Sequence, residues 1–272
     1  MAIGIQLYTF GDAARKDLPG TLRAIAEIGY REVETSFLVP AEELATELAR
    51  AGLRCPSVHV PPNAWGPGHS LEGDLDALAA DAKRVGATFV VCSLFPISSL
   101  AELRPREGES GAQALARVGM STTREQWLRH AEFLNEKGSR LARAGVQLAY
   151  HNHNVELARV GDSTGFDLLL EGSDPEFVKV ELDVGWAAAA GRDPSALLRT
   201  HAARIRLLHL KDLKGSTELN TRLRMDPTEV GAGIVDWHRV LRAAREVGVA
   251  HGFVEQEPPF ERPEREAARR SF

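Results

Sequence analysis

The sequence predicts an α/β chain folded as a single (β/α)₈ TIM barrel over residues 1–272, and three observations lead there. A length of 272 residues is close to the ~250 residues typical of one such barrel. Short β-branched runs alternate with helix-period stretches from end to end, which is the pattern of repeated βα units and a parallel sheet. No low-complexity tract, linker, or internal repeat beyond that alternation marks a second domain. An open doubly wound sheet would alternate in a similar way, but eight runs close most simply into a barrel.

The strand runs, in order, are IGIQLY (3–8), REVET (31–35), CPSVHV (55–60), TFVVCS (88–93), VQLAYHNH (146–153), VKVELDV (178–184), IRLLHLKD (205–212) and HGFVEQE (251–257). Between them lie amphipathic stretches such as LPGTLRAIAEIGY, AEELATELARAG, TTREQWLRHAEFLNEKGSRLARAG and DWHRVLRAAREVG. The third opens on a capping-box pattern, Thr122 with Glu125, and ends near Gly145. Two connections exceed what a barrel needs, 96–120 after the fourth strand and 213–235 after the seventh. Both fall on the face where the strands end, where barrels build active sites, so they are expected to act as a lid and a substrate-binding loop.

Composition removes several classes of function. With 33 Lys+Arg against 38 Asp+Glu, the net charge of −5 lacks the electrostatic footprint of a nucleic-acid binder. No run approaches the roughly 18 apolar residues of a membrane span. The opening MAIGIQLYTF has no basic or long apolar leader, and Cys55 and Cys92 are far from any C-x-x-C spacing. A cytoplasmic, disulfide-free protein is expected, with a small-molecule partner rather than DNA or membrane. Association into a homo-oligomer is compatible with the sequence.

Strand periodicity then selects the side chains that enter the barrel, because the set facing the helices must be apolar and the other set can be polar. In the sixth run Val178, Val180, Leu182 and Val184 face the helices, which leaves Lys179, Glu181 and Asp183 inward. The seventh run is ambiguous alone; its inner row is read as Ile205, Leu207, His209 and Lys211. The fifth sends Gln147, Ala149, His151 and His153 inward, and the eighth Phe253, Glu255 and Glu257. His59, Glu34, Gln6 and Tyr8 join them from the first three runs. Polar groups gathered inside a barrel must be paired or bind a ligand. His151, Asp183, His209 and Glu255 come from four consecutive strands and form a mixed N/O set. Such a set suits Mn²⁺, Zn²⁺, Co²⁺ or Fe²⁺ better than a purely oxygen-seeking ion, with Mg²⁺ also among the candidates. The alternative is a hydrogen-bonded network without a metal.

These residues also carry a resemblance that covers nearly the whole chain. GIQLYTF with KDLPGTLRAIAEIGYREVE, then YHNHNVEL, LDVGWAAAAGRDP, LHLKD, VGAGIVDW and FVEQE closely resemble the sugar phosphate isomerase/epimerase family of xylose isomerase-like barrels. The resemblance implies a divalent metal at the strand ends and a role in carbohydrate metabolism. Related ketose 3-epimerases use Glu, Asp, His and Glu as ligands, and Asp183, His209 and Glu255 match three of them. The departure lies on the fifth strand, where His151 or His153 stands in place of a glutamate. The opposed pair of metal-bound glutamates is therefore incomplete, and the second proton-transfer group has to be His151, His153, Glu156 or Lys211. Glu156, Trp186 and Tyr8 resemble substrate-contacting positions, His59 reads as a polar substrate contact, and Gly231 with Gly233 could admit a phosphate to backbone amides.

The expected function is that of a metal-dependent isomerase or epimerase of a small sugar, sugar phosphate or keto-polyol, with Glu255 removing a proton next to a carbonyl. Dehydration of a keto-polyol begins with the same proton abstraction and is the principal alternative. An apurinic endonuclease fits poorly, since Trp186 stands where those nucleases place a histidine ligand and VGAGIV lacks their D-x-H. A non-catalytic sugar-binding barrel would not need a metal beside a base.

Overall fold

The computed structural model describes residues 1–97 and 99–272. Eight parallel strands close into a barrel: β1 (Ala2–Gln6), β2 (Glu32–Thr35), β3 (Arg54–Val60), β4 (Phe89–Cys92), β5 (Gln147–His151), β6 (Val178–Asp183), β7 (Ile205–Leu210) and β8 (His251–Val254). Each strand pairs with its neighbours in sequence, and β1 pairs with β8 to complete the ring. Helices follow every strand, the longest being Arg124–Arg143. Among the described residues no helix is long and apolar enough to cross a membrane, and Cys55 and Cys92 are buried free thiols.

The core has two parts, as alternation requires. The layer between strands and helices holds Val58, Val90, Leu148, Val180, Leu182 and Leu208 with the apolar faces of the helices. Inside the barrel, Val91, Ala149, Leu207 and Phe253 form a separate apolar plug. Above that plug the inward positions become polar. Ile205 departs from the expected inner row and packs in the outer layer, because the register slips between Val180↔Ile205 and Glu181↔Leu207 and breaks the alternation.

Two connections differ in detail from the sequence reading. The capping box sits one residue later than expected: Thr123 Oγ1 accepts from the Gln126 amide and Gln126 Oε1 accepts from the Thr123 amide. The Thr122 hydroxyl instead donates to Val118 O. Within 96–120 there is a helix, Gly111–Ser121, with its own box formed by Ser110 and Gln113. After β7, a short antiparallel ribbon of Asp212–Leu213 against Pro227–Thr228 opens the long loop.

Candidate active site

Asp183 ends β6 and caps the short helix Val184–Ala189, with Oδ1 accepting from the Trp186 amide at 2.7 Å. The Asn152 side chain accepts from the Asp183 amide at 3.1 Å, which ties the ends of β5 and β6 together. Asp183 Oδ2 is therefore free to face the barrel axis, where it makes no hydrogen bond and lies 3.1 Å from Lys211 Nζ. His209, level with Asp183 on β7, turns Nδ1 toward Glu255 at 3.0 Å and Asp183 at 3.7 Å. The ligand atoms of Asp183, His209 and Glu255 all lie within 4.8 Å of one another, a geometry open to one metal ion. One imidazole with two carboxylates suits a borderline divalent cation, which would share the carboxylate oxygens with the Lys211 ammonium.

Lys211 is wholly buried beside this group. Its ammonium lies 2.8 Å from Glu255, 2.7 Å from Glu257 and 5.1 Å from the centre of the Trp186 ring. Burial alone would lower its pKa, but Asp183, Glu255 and Glu257 more than offset that and raise it well above the usual lysine range. In return, although burial opposes the charge on Glu255, Lys211 and His209 hold it well below the ordinary carboxylate range. Burial depresses His153 to about 3, helped by Lys211, so its imidazole is neutral. Asp183 is raised, chiefly by burial.

His151 does not join that group. By register it lies opposite Glu181, two residues before Asp183, so its Nδ1 meets Glu181 Oε2 at 3.1 Å, lower in the barrel. There it shares a chamber with His59 and with His209 Nε2, and the ligand atoms of these four residues also lie within 4.8 Å of one another. Glu34 completes the chamber, 2.6 Å from His209 Nε2, 3.1 Å from His59 Nε2 and accepting from Gln6 Nε2 at 2.8 Å. Burial would raise Glu34, yet His59 and His209 bring it well below the usual range. Burial and the nearby Glu34 push Glu181 up to about 7. The sequence reading placed Glu34 and Glu181 inward and gave neither a role, although the E-x-D spacing already set Glu181 on the same face as Asp183.

The remaining candidates divide. Tyr8, His59, His151, His153, His209 and Glu255 line one cavity of about 300 Å³ at the mouth. Trp186 and Glu257 border a larger one of about 940 Å³ under the long loop, which also presents Asn220, Arg222 and Arg224. Glu156 points elsewhere: it is buried, accepting from the Tyr150 hydroxyl at 2.8 Å and from the His153 amide at 2.9 Å, so both oxygens brace the end of β5. The Gly231 and Gly233 amides are occupied too. They donate to Asp212, whose carboxylate also accepts from the amides of Leu213 and Val235 and from Trp237 Nε1. A Cβ at Gly233 would stand 2.2 Å from Leu213 O, so the close approach serves this clasp and leaves no seat for a phosphate.

The model of the xylose isomerase-like TIM barrel family matches residues 22–272. The chain belongs to that family. Among curated members of known name, the inosose dehydratase of Mesomycoplasma hyopneumoniae strain J is 29% identical over 208 residues, covering 73% of this chain and 64% of its own. The match spans 64% of that dehydratase's length and 51% of the length of the inosose dehydratase of Geobacillus thermodenitrificans. Of solved xylose isomerase-like barrels, a sugar phosphate isomerase/epimerase from Parabacteroides distasonis superposes with a TM-score of 0.77 at 22% identity, covering 99% of this chain and 91% of its own. The IolI protein with a bound zinc atom gives 0.67 at 16% identity, covering 100% and 95%. At these identities the two structures establish a shared fold.

Proposed function

We propose that the chain is a divalent-metal-dependent enzyme that removes a proton next to the carbonyl of a small keto-polyol and expels water from the neighbouring carbon. The observation that carries this reading is the contact between Lys211 Nζ and Glu255 at 2.8 Å, beside the Asp183, His209 and Glu255 group. A divalent ion held by those three residues would supply the Lewis acid that polarises the carbonyl. IolI, of the same fold, carries zinc.

Glu255 takes the C–H proton as a base, and Lys211 gives one to the departing hydroxyl. Because acid and base are in contact, they work on one face of the substrate, which suits loss of water. The Glu255 proton then passes directly to Lys211, so the cycle closes with water as the only group released. The low proton affinity of Glu255 makes the step depend on an acidified C–H. His153, neutral and at the mouth, accepts a substrate hydroxyl in this reading, with Tyr8 lining the same cavity and the Trp186 ring 5.6 Å from the imidazole. The dehydratase relatives favour an inosose-like substrate. Isomerisation or epimerisation is the second reading; it needs a proton delivered to another carbon or to the opposite face, and His153 is the group available for that.

Solvent-deuterium incorporation into an inosose, followed by mass analysis, tests the proposal. Wild-type protein with Mn²⁺ or Zn²⁺ should exchange the proton and release a product lighter by one water. Metal-loaded Glu255→Gln should lose roughly 10²–10⁴-fold in exchange. Exchange at the wild-type rate in that variant would overturn the role of Glu255, and retained product mass would move the assignment to isomerisation.

A further inference from the structure

In the chamber below the mouth, one carboxylate oxygen meets three imidazoles. Glu181 Oε2 lies 2.8 Å from His59 Nε2, 3.1 Å from His151 Nδ1 and 3.2 Å from His209 Nε2. The available protons do not satisfy this arrangement. His59 Nε2 carries at most one hydrogen, yet it faces Glu181 and Glu34 together, and His209 Nε2 faces the same two carboxylates. Meanwhile Glu34 Oε1 and Glu181 Oε1 are buried without a hydrogen-bond partner among the described residues. A site in which acceptors converge on too few hydrogens while buried carboxylate oxygens lack donors is short of donors, and a cation that takes those lone pairs relieves the shortage.

We propose that this chamber is a second divalent-cation site, separate from the one at the mouth, held by His59, His151 and Glu181 with Glu34 as the adjoining carboxylate. Two imidazoles and one or two carboxylates make a donor set for Zn²⁺ or Co²⁺. Ligands at about 2.0–2.2 Å in tetrahedral geometry stand about 3.3–3.6 Å from one another, so the observed spacings need to open by only a few tenths of an ångström. A bound ion displaces the proton of His59, and the two carboxylates with the metal-bound imidazoles then present a charge that one divalent ion balances. The apolar cluster of Val91, Ala149, Leu207 and Phe253 borders the chamber, Val91 paired with His59, Leu207 with Glu181 and Phe253 with His209.

The two sites need not compete. His209 offers Nδ1 to Asp183 and Glu255, which leaves Nε2–H to donate to Glu34 at 2.6 Å. That is the outer hydrogen bond that commonly orients a metal-bound imidazole. Both positions can therefore be filled at once, with Glu34 serving as orienter for one and neighbour to the other.

Cobalt titration of the full-length protein, followed by visible absorption and elemental analysis, tests the inference. The wild-type chain should bind two ions, and His59→Gln and Glu181→Gln should each bind one. Asp183→Asn should also bind one, with the spectrum of the other site. His59→Gln is the variant to read if Glu181→Gln fails to fold, because His59 lies at the chamber's edge, its side chain 14% exposed. A wild type that binds no ion, or a His59→Gln protein that keeps every ion the wild type binds, would overturn the second site. Failure of the mouth site is distinguishable, since Asp183→Asn would then keep every ion that the wild type binds.

Discussion

At Glu156 the carboxyl group is held up to about 7, because burial penalises its charge more than the Tyr150 hydroxyl and the His153 amide relieve it. An unfolded glutamate releases its proton near 4.5, so between these values the native state binds more protons than the unfolded chain does. The stability contributed by this group is complete below about 4.5, declines as pH rises and is lost above about 7. Glu156→Gln removes that titration, and its amide can still accept from His153 N and donate to the Tyr150 oxygen. The unfolding free energy of the variant should therefore change less than that of the wild type between about pH 5 and about pH 8, by up to roughly 3 kcal/mol. Identical pH profiles for the two proteins would contradict this account. The position also shows where residue-level reading failed: a polar side chain beyond a strand end looks like a substrate contact until the hydroxyl that occupies it is known.

Strands were legible because alternation is a property of consecutive residues, and Val178, Val180 and Leu182 announce their face without reference to any neighbour. Pairing register is not local. The sequence put His151 with Asp183 because both stand near strand ends, whereas the barrel sets His151 opposite Glu181 and Asp183 opposite His209. Two residues of strand amount to about 6–7 Å, enough to take His151 out of the cluster of Asp183, His209 and Glu255. The slip at Ile205 belongs to the same class of error. Helix starts were legible to within a residue, since Thr122 and Thr123 offer equivalent hydroxyls and only the Gln126 amide shows which one caps. The helix Gly111–Ser121 was hidden by its polar, glycine-flanked surroundings. Thr123→Ala should cost about 1 kcal/mol, seen as a fall of about 2–4 °C in thermal midpoint. An unchanged midpoint would mean that the box adds nothing to the helix Arg124–Arg143.

Across the whole molecule, charge is concentrated where the fold can least hydrate it. Glu34, Glu181, Asp183 and Glu255 share the barrel interior with three imidazoles and the Lys211 ammonium, all above an apolar plug. Divalent cations that bind only the folded barrel should stabilise it by about 2.7 kcal/mol per site at a hundredfold excess over Kd, a rise of roughly 5–10 °C in midpoint for each site filled. A chelator should reverse the rise, and a midpoint indifferent to both zinc and chelator would refute cation binding at either level. The clasp at Asp212 has another consequence for the protein as a whole. Lys211 and Asp212 are consecutive; one serves the barrel interior and the other pins the chain at Leu213 and again at Gly231, Gly233 and Val235. The segment enclosed between these pins is tied back to the barrel at Asn154, which donates to Asn220 O and accepts from the Leu223 amide, and its Leu223 and Met225 pack against the Trp186 cluster beside the Lys211 ammonium. Doubling the length of such a loop costs only about 0.6 kcal/mol in closure entropy. The rim that carries Asn220, Arg222 and Arg224 can thus change length at small entropic cost, whereas a substitution at Leu223 or Met225 is felt at Lys211 through the Trp186 ring.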